Sequence, residues 1–454
     1  MFHGVHIINH INIKKLNESI KKNNLKQNIR GWLVVACGGI FYMYQFMVRV
    51  SPNIMNDELL INFAIDSASL GLLLGAYNWS YSAMQIPLGI TIDRFGPRVF
   101  LCIASVICAL SCFIFGNTTN PIIGGGARFL MGMGSACGLI GTIKLGVIWL
   151  EPKHVAKVTG LAILMGTAGA SLGGAPLEIF LNKFGFEKTM EFLGLIGIVV
   201  ALLILVLVSN KPVIDHHEEI VDIYENKSPL SNILFLVKNP QAWILGIYGM
   251  LMYLPITIIG VVWGISFVHN VAEVSDIMAA SVVSSMFLGA AIGSPCFAYF
   301  SDTIKKRRLP MFMGSIVTSL AWFTIFIVDV PFYCLYILFF IAGFAYTAKC
   351  LTFASICEAM PLKMSGVSIA FVNAIVMSTG IIFLPIVGAL IDFSWNGEMY
   401  NNIPYYTADD YRFALIIIPI LLAFSSILVF FMKETHPEYK LPKEYGSIID
   451  TDVL

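Results

Sequence analysis

Apolar runs long enough to cross a lipid bilayer recur twelve times along this chain, and that recurrence limits the fold more than any single motif. A hydrocarbon core of about 30 Å is crossed by roughly 20 helical residues. By that ruler the candidate spans lie near 32–55, 68–92, 98–117, 121–149, 157–180, 190–209, 240–268, 277–300, 310–328, 331–357, 366–391 and 412–432. Backbone amides left bare in lipid are costly, so each run must close its own hydrogen bonds as a helix. Charge agrees: 12% of residues are Asp, Glu, Lys or Arg, against about 25% in a soluble domain. The expected fold is an all-α membrane protein with twelve transmembrane helices in two six-helix halves.

Polar stretches divide the chain into a tail (1–30), a first half (31–210), a central loop (211–239), a second half (240–432) and a second tail (433–454). With the N-terminus inside, inner segments hold 21 Lys and Arg residues, and outer loops hold three, Lys183, Lys188 and Arg412. Basic residues gather on the cytoplasmic side, so both tails and the central loop are expected there. His216, His217, Glu218 and Glu219 in that loop read as a solvated linker, because adjacent histidines without a scaffold make a poor metal site. The nine cysteines lie inside apolar runs and read as small apolar side chains. No metal site, cofactor motif or nucleophile–base constellation appears, so enzymatic activity is not expected. A net charge of zero excludes a nucleic-acid footprint built on bulk basicity. The expected partners are the lipid bilayer and a small-molecule solute, and the chain is expected to work as a monomer.

Four cations remain inside the spans: Arg49, Arg128, Lys144 and Lys349. A cation at a helix centre costs roughly 2.5–3.5 kcal/mol on insertion scales, so each needs a reason. Arg49 lies about 17 residues into its candidate span, or ~25 Å along it, toward an end where snorkelling is open to it. However, Tyr42, Gln45 and Arg49 fall at i, i+3 and i+7, one polar stripe. Tyr77, Tyr81 and Gln85 make a matching stripe on the second span. Two facing polar stripes suit a hydrated cavity better than a snorkelling side chain does. Arg128 shares a face with Gly132 and Ser135, which leaves solute contact and helix bridging both open. Lys144 sits near a span end and favours snorkelling or a structural partner. Lys349 lies nearer mid-span, one turn after Tyr346. No Asp, Glu or His lies mid-span, and Glu178, Glu191, Glu358 and Asp392 stand at span ends.

The two halves also repeat. The loop after the second span reads Gly89-Ile-Thr-Ile-Asp93-Arg94-Phe-Gly96-Pro-Arg98, and the loop after the eighth carries Asp302 followed by Lys305-Lys306-Arg307-Arg308. Lys144 precedes Gly160 by 16 residues and Lys349 precedes Gly366 by 17, which suggests a symmetric pair. Parallel repeats about the membrane normal are a known transporter plan. The Gly89–Arg98 loop resembles the signature of the major facilitator superfamily, and the resemblance covers nearly the whole chain. It implies a secondary transporter working by alternating access, with Gly89, Asp93, Arg94, Arg98 and Asp302 in gating.

The first two spans are most similar to the anion:cation symporter and organophosphate antiporter branches. Arg49, standing 44 residues before Asp93, matches their first-span Arg, and Arg128-Phe-Leu-Met-Gly132 matches their fourth-span Arg. Gly366-x6-Asn373 resembles their eleventh span. Bacterial relatives of the lysosomal dipeptide transporters share the layout. Where cation symporters commonly carry carboxylates, this chain has Val48 and Ser135. The resemblance therefore implies a small anionic or zwitterionic solute, by antiport or symport, in a bacterial inner membrane. Arg49, Arg128, Tyr42, Gln45, Tyr77, Tyr81, Lys349 and Asn373 are the expected solute contacts, with Glu178 beside Pro176 as a reserve proton acceptor. Alternatives are an exporter of amphipathic drugs or siderophore-like compounds, and a non-transporting membrane sensor.

Overall fold

A computed structural model describes residues 29–150, 155–209, 229–360, 365–400 and 403–436, apart from a few side chains within them. The expected gating residues Gly89, Asp93 and Arg94 are among those side chains and lie outside the described residues, as do most of both tails and His216–Glu219. Among the described residues, twelve spans cross the bundle. They are Ile29–Phe63, Ser67–Phe95, Pro97–Gly116, Pro121–Trp149, 155–184, 186–207, Pro240–Ala272, Asp276–Ile304, Arg308–Ile327, Phe332–Ala359, 365–394 and Ala408–Phe431. The fifth and sixth run together except at Gly185, where φ of 81° turns the chain in a region that favours glycine. A two-residue antiparallel pairing, Met399–Tyr400 with Ile403–Pro404, precedes the last span. The protein is thus a multi-pass integral membrane protein.

Local sequence sets the helix starts. Asp66 Oδ1 accepts from Ser69 N at 2.8 Å, Asn120 and Asn239 cap helices that open on Pro121 and Pro240, and Thr407 and Asp410 form a capping box. The first span departs from expectation. It does not end near residue 55: the chain passes through a 3-10 turn, Ser51–Met55, and resumes as helix to Phe63. Arg49 therefore sits well inside the span, and at 3% exposure it does not snorkel.

The halves meet chiefly where the second span lies along the eleventh and the fifth along the eighth. Within the first half, glycines of the fifth span let the first span close on it. A Cβ at Gly173 would sit 3.1 Å from Met47 Cα and 2.6 Å from Val50 Cγ2.

Most hydrogen bonds between the halves cluster at the end of the bundle far from residues 29 and 436. There Asn53 Nδ2 donates to Ile259 O at 2.7 Å, and Asn53 Oδ1 accepts from Ile265 N at 3.0 Å. Asn56 Nδ2 donates to Ser266 Oγ at 3.0 Å. The partner stretch Ile256–Trp263 in the seventh span is a π-helix, wholly buried. Beside it, Asp392 of the eleventh span accepts from Ser67 N at 3.2 Å and Ala68 N at 2.7 Å, so it caps the second span from the opposite half. Tyr406 donates to the same carboxylate, and burial followed by Asp392 pushes its hydroxyl above the usual phenol range. The far end is closed.

At the other end, no hydrogen bond or ion pair between described residues joins the halves. Asp302 is held within its own half. Arg307 contacts Asp302 and Glu358, each at 2.7 Å, and its backbone N donates to Glu434. Burial alone would lower the Arg307 pKa, but Glu358 and Asp302 outweigh it and raise it. Within the first half, Arg98 donates to Leu205 O at 2.7 Å.

Candidate functional site

Helical spacing brings the two polar stripes together in the middle of the bundle. Tyr77 donates to Gln45 Oε1 at 3.1 Å, joining the second span to the first. Arg49 Cζ then lies 5.6 Å from the ring centres of both Tyr77 and Tyr81, 5.7 Å from Phe46 and 5.3 Å from Tyr253 of the seventh span. Arg49 Nη2 donates to Met377 Sδ at 3.5 Å, in the eleventh span. Tyr42 packs edge-on against Phe46 and sits beside Gly138, whose absent side chain leaves room for the ring; a Cβ there would lie 2.7 Å from it. One turn beyond Tyr81, Gln85 Oε1 accepts from Asn373 Nδ2 at 3.0 Å, a second bond between the halves.

Two further cations border this cage. Lys349 lies in a short 3-10 turn, Tyr346–Cys350, that interrupts the tenth span. The turn sets Nζ 3.5 Å from the Tyr253 ring centre and 5.7 Å from that of Tyr346. Arg128 is 1% exposed, donates to Val48 O at 3.1 Å, and lies 5.0 Å from the Tyr77 ring. It therefore joins the fourth span to the backbone just before Arg49.

Charge decides what this arrangement can hold. Among the described residues no carboxylate lies within 4.0 Å of Arg49, Arg128 or Lys349. A cation–π contact offsets about 0.5–2 kcal/mol. Removing an ion from water costs several kcal/mol after relaxation, so the rings lessen the deficit without closing it. Unused donors add to it: Gln45 Nε2, Gln85 Nε2 and Arg128 Nε are enclosed without partners. An anion with further hydrogen-bond acceptors would satisfy both shortages, and a cation would deepen them.

Tyr42, Gln45, Arg49, Tyr77, Tyr81 and Lys349 come together, Asn373 borders them through Gln85, and Arg128 stands behind Tyr77. Lys144 does not join. It lies five residues before the end of its helix at Trp149, whereas Lys349 lies ten before Ala359, so they sit at different depths and are not a symmetric pair. Gly160 stands five residues into its helix, Val155–Leu172, and Gly366 one residue into Ser365–Met377, so the spacings of 16 and 17 do not run between equivalent points. Glu178 is 2% exposed and lies toward the far end, with Oε1 accepting from Asn182 and Oε2 without a partner. A narrow far-end crevice between Val50, Asn53, Gly174 and Ser284 has no charged lining and is separate from the cage.

Sequence reasoning missed Tyr253 and Met377, which lie in apolar runs with no polar stripe to flag them. Gln85 stood in the second-span stripe but not among the expected contacts.

The sequence profile of the Major Facilitator Superfamily matches residues 34–275 and 245–449. An uncharacterized transporter, YybO of Bacillus subtilis, is 26% identical over 37% of this chain and 38% of its own length. The probable galactarate/D-glucarate transporter GarP of Escherichia coli is 25% identical over 60% of this chain and 68% of that protein. The probable sulfoacetate transporter SauU of Cupriavidus necator is 20% identical over 43% of this chain and 45% of that protein. The chain thus spans less than half the length of two of these three relatives. Among solved structures, a bacterial homologue of the human lysosomal transporter Spinster, in an inward-facing and unoccupied conformation, gives a TM-score of 0.71 at 16% identity. That match covers 88% of this chain and 96% of that one. A point mutant of the nucleoside transporter NupG gives 0.69 at 15%, over 88% and 99%.

Proposed function

The chain belongs to the major facilitator superfamily, and from that premise we propose that it is a secondary active transporter for a small organic anion. The observation that carries this is Arg49, buried among four aromatic rings with no described carboxylate to balance it. Arg49 binds the anionic group of the solute. Arg128 positions Arg49 through Val48 O. Tyr42, Gln45, Tyr77, Tyr81 and Asn373 supply polar contacts, and the two halves rock around this midplane site. Relatives whose names refer to galactarate, glucarate and sulfoacetate support an organic acid as the solute.

The chain works as a monomer in a bacterial inner membrane with both termini cytoplasmic, a reading supported by the excess of Lys and Arg in the inner segments. The end closed by Asn53 and Asp392 then faces outward, and the Gly89–Arg98 loop, with Asp93 and Arg94, locks the opposite end in the other state. An exporter of cationic amphiphiles fits poorly, because the cage offers no acid to attract a cation.

The test is transport by purified protein in liposomes. Arg49→Ala is expected to abolish uptake of organic acids while inserting normally, and Arg49→Lys to recover part of it. Wild-type rates in the alanine variant would sink the assignment.

A further inference from the structure

We infer that the cage takes a solute bearing two anionic groups, one at Arg49 and the other at Lys349, and that Lys349 sets the preference for dianions over monoanions. This rests on the organic-anion reading above and deepens it.

The two cations come from different halves and share one ring. Arg49 Cζ lies 5.3 Å and Lys349 Nζ 3.5 Å from the Tyr253 centroid, so they are at most about 9 Å apart. Both residues are more than nine-tenths buried. Neither has a carboxylate within 4.0 Å among the described residues, and the Lys349 ammonium donates no hydrogen bond to any of them. A solute with a single negative group compensates one of these charges and leaves the other buried and bare, which is the expensive arrangement in a medium of low polarity. A second negative group removes that cost.

Length agrees with charge. In an extended diacid of four to six carbons the carboxyl carbons stand roughly 4–6 Å apart at ~1.5 Å per bond, shortened by the zigzag. Lying alongside Tyr253, such a chain reaches both cations at charge-assisted hydrogen-bond distance. The same set of polar side chains also holds the enclosed, unpartnered amides Gln45 Nε2 and Gln85 Nε2, donors suited to hydroxyl oxygens. A short polyhydroxy diacid uses every one of these groups, whereas its monoacid leaves Lys349 idle.

The experiment compares an aldarate with the aldonate of the same sugar, which differ only in the second carboxylate. Affinities are read by competitive counterflow and by calorimetry on the purified full-length protein. Wild type is expected to favour the aldarate at least tenfold. Lys349→Met should cut aldarate affinity about tenfold to hundredfold, the range set by losing one hydrogen bond to a charged group, and move the aldonate less than threefold. Lys349→Arg, which keeps the charge, should retain the preference even if the methionine variant proves unstable. Equal losses for both acids in Lys349→Met, or no preference in wild type, would overturn the inference. If neither acid binds wild type at all, the organic-anion reading itself falls.

Discussion

The carboxylate of Asp392 offers the sharpest handle on the conformational cycle. It accepts from Ser67 N and Ala68 N at 3.2 and 2.7 Å, at the first turn of a helix in the other half. Two hydrogen bonds to a charged acceptor contribute about 3–6 kcal/mol when fully buried, and the helix dipole adds about 0.3–1 kcal/mol. Asp392 is half-buried, so solvent screening brings the net to about 2 kcal/mol, a factor of roughly 30. These bonds join the halves and can exist only while the far end is shut. Their loss should therefore redistribute conformations rather than unfold the chain, since Asp66 still caps the second span locally. In Asp392→Ala a closed fraction of about nine-tenths would fall to about one quarter; Asp392→Asn, keeping one acceptor oxygen, should fall about half as far in free energy. Spin labels on Ile61→Cys and Ile277→Cys, exposed far-end positions on opposite halves, would report the separation by pulsed resonance once exposed Cys296 is replaced. An unchanged distance distribution, accompanied by a lowered melting temperature, would refute the reasoning: the bonds would then merely hold a loop.

Tyr253 should act through its ring, because both cations lie against it. Tyr253→Phe is expected to keep apparent solute affinity within about threefold, whereas Tyr253→Leu should weaken it about tenfold, read as KM for uptake. At the other end, Arg307→Met leaves Glu358 half-buried without its partner; a loss of about 2–3 kcal/mol should appear as a melting temperature lower by several degrees in a thermal-shift assay, with the solute preference unchanged.

Much of this architecture was legible because bilayer thickness imposes one length on every span, and charge inside a span is rare enough to stand out. Arg49 and its flanking tyrosines were visible for that reason. The helical period also placed Tyr77, Tyr81 and Gln85 on one face before any contact was known. What stayed hidden depends on breaks in regular helix. The first apolar run reads as ending near residue 55, yet a 3-10 turn at Ser51–Met55 carries the span on to Phe63, and the difference moves Arg49 from near an end to the interior. Lys349 could not be ranked because the turn at Tyr346–Cys350 that aims it leaves no clear mark in the sequence. Tyr253 was overlooked since one tyrosine in an apolar run has no period to betray it. Asp392 was read as an ordinary acid at a span end, because the helix it caps belongs to the other half.

The π-helical stretch Ile256–Trp263 has a consequence of its own. A turn closed by i→i+5 bonds is wider than an α-helical turn, so each residue advances the helix by a smaller angle. Over eight residues the lag accumulates, and the seventh span is re-clocked between Tyr253 on one side and Ile265 on the other. One helix thus offers an aromatic ring to the cage and, a few residues on, a backbone oxygen and a backbone N–H to Asn53. Removing a single residue from the stretch would restore the ordinary pitch and swing Tyr253 away from both cations. The phase of one helix, as much as any side chain, then sets what the protein can carry.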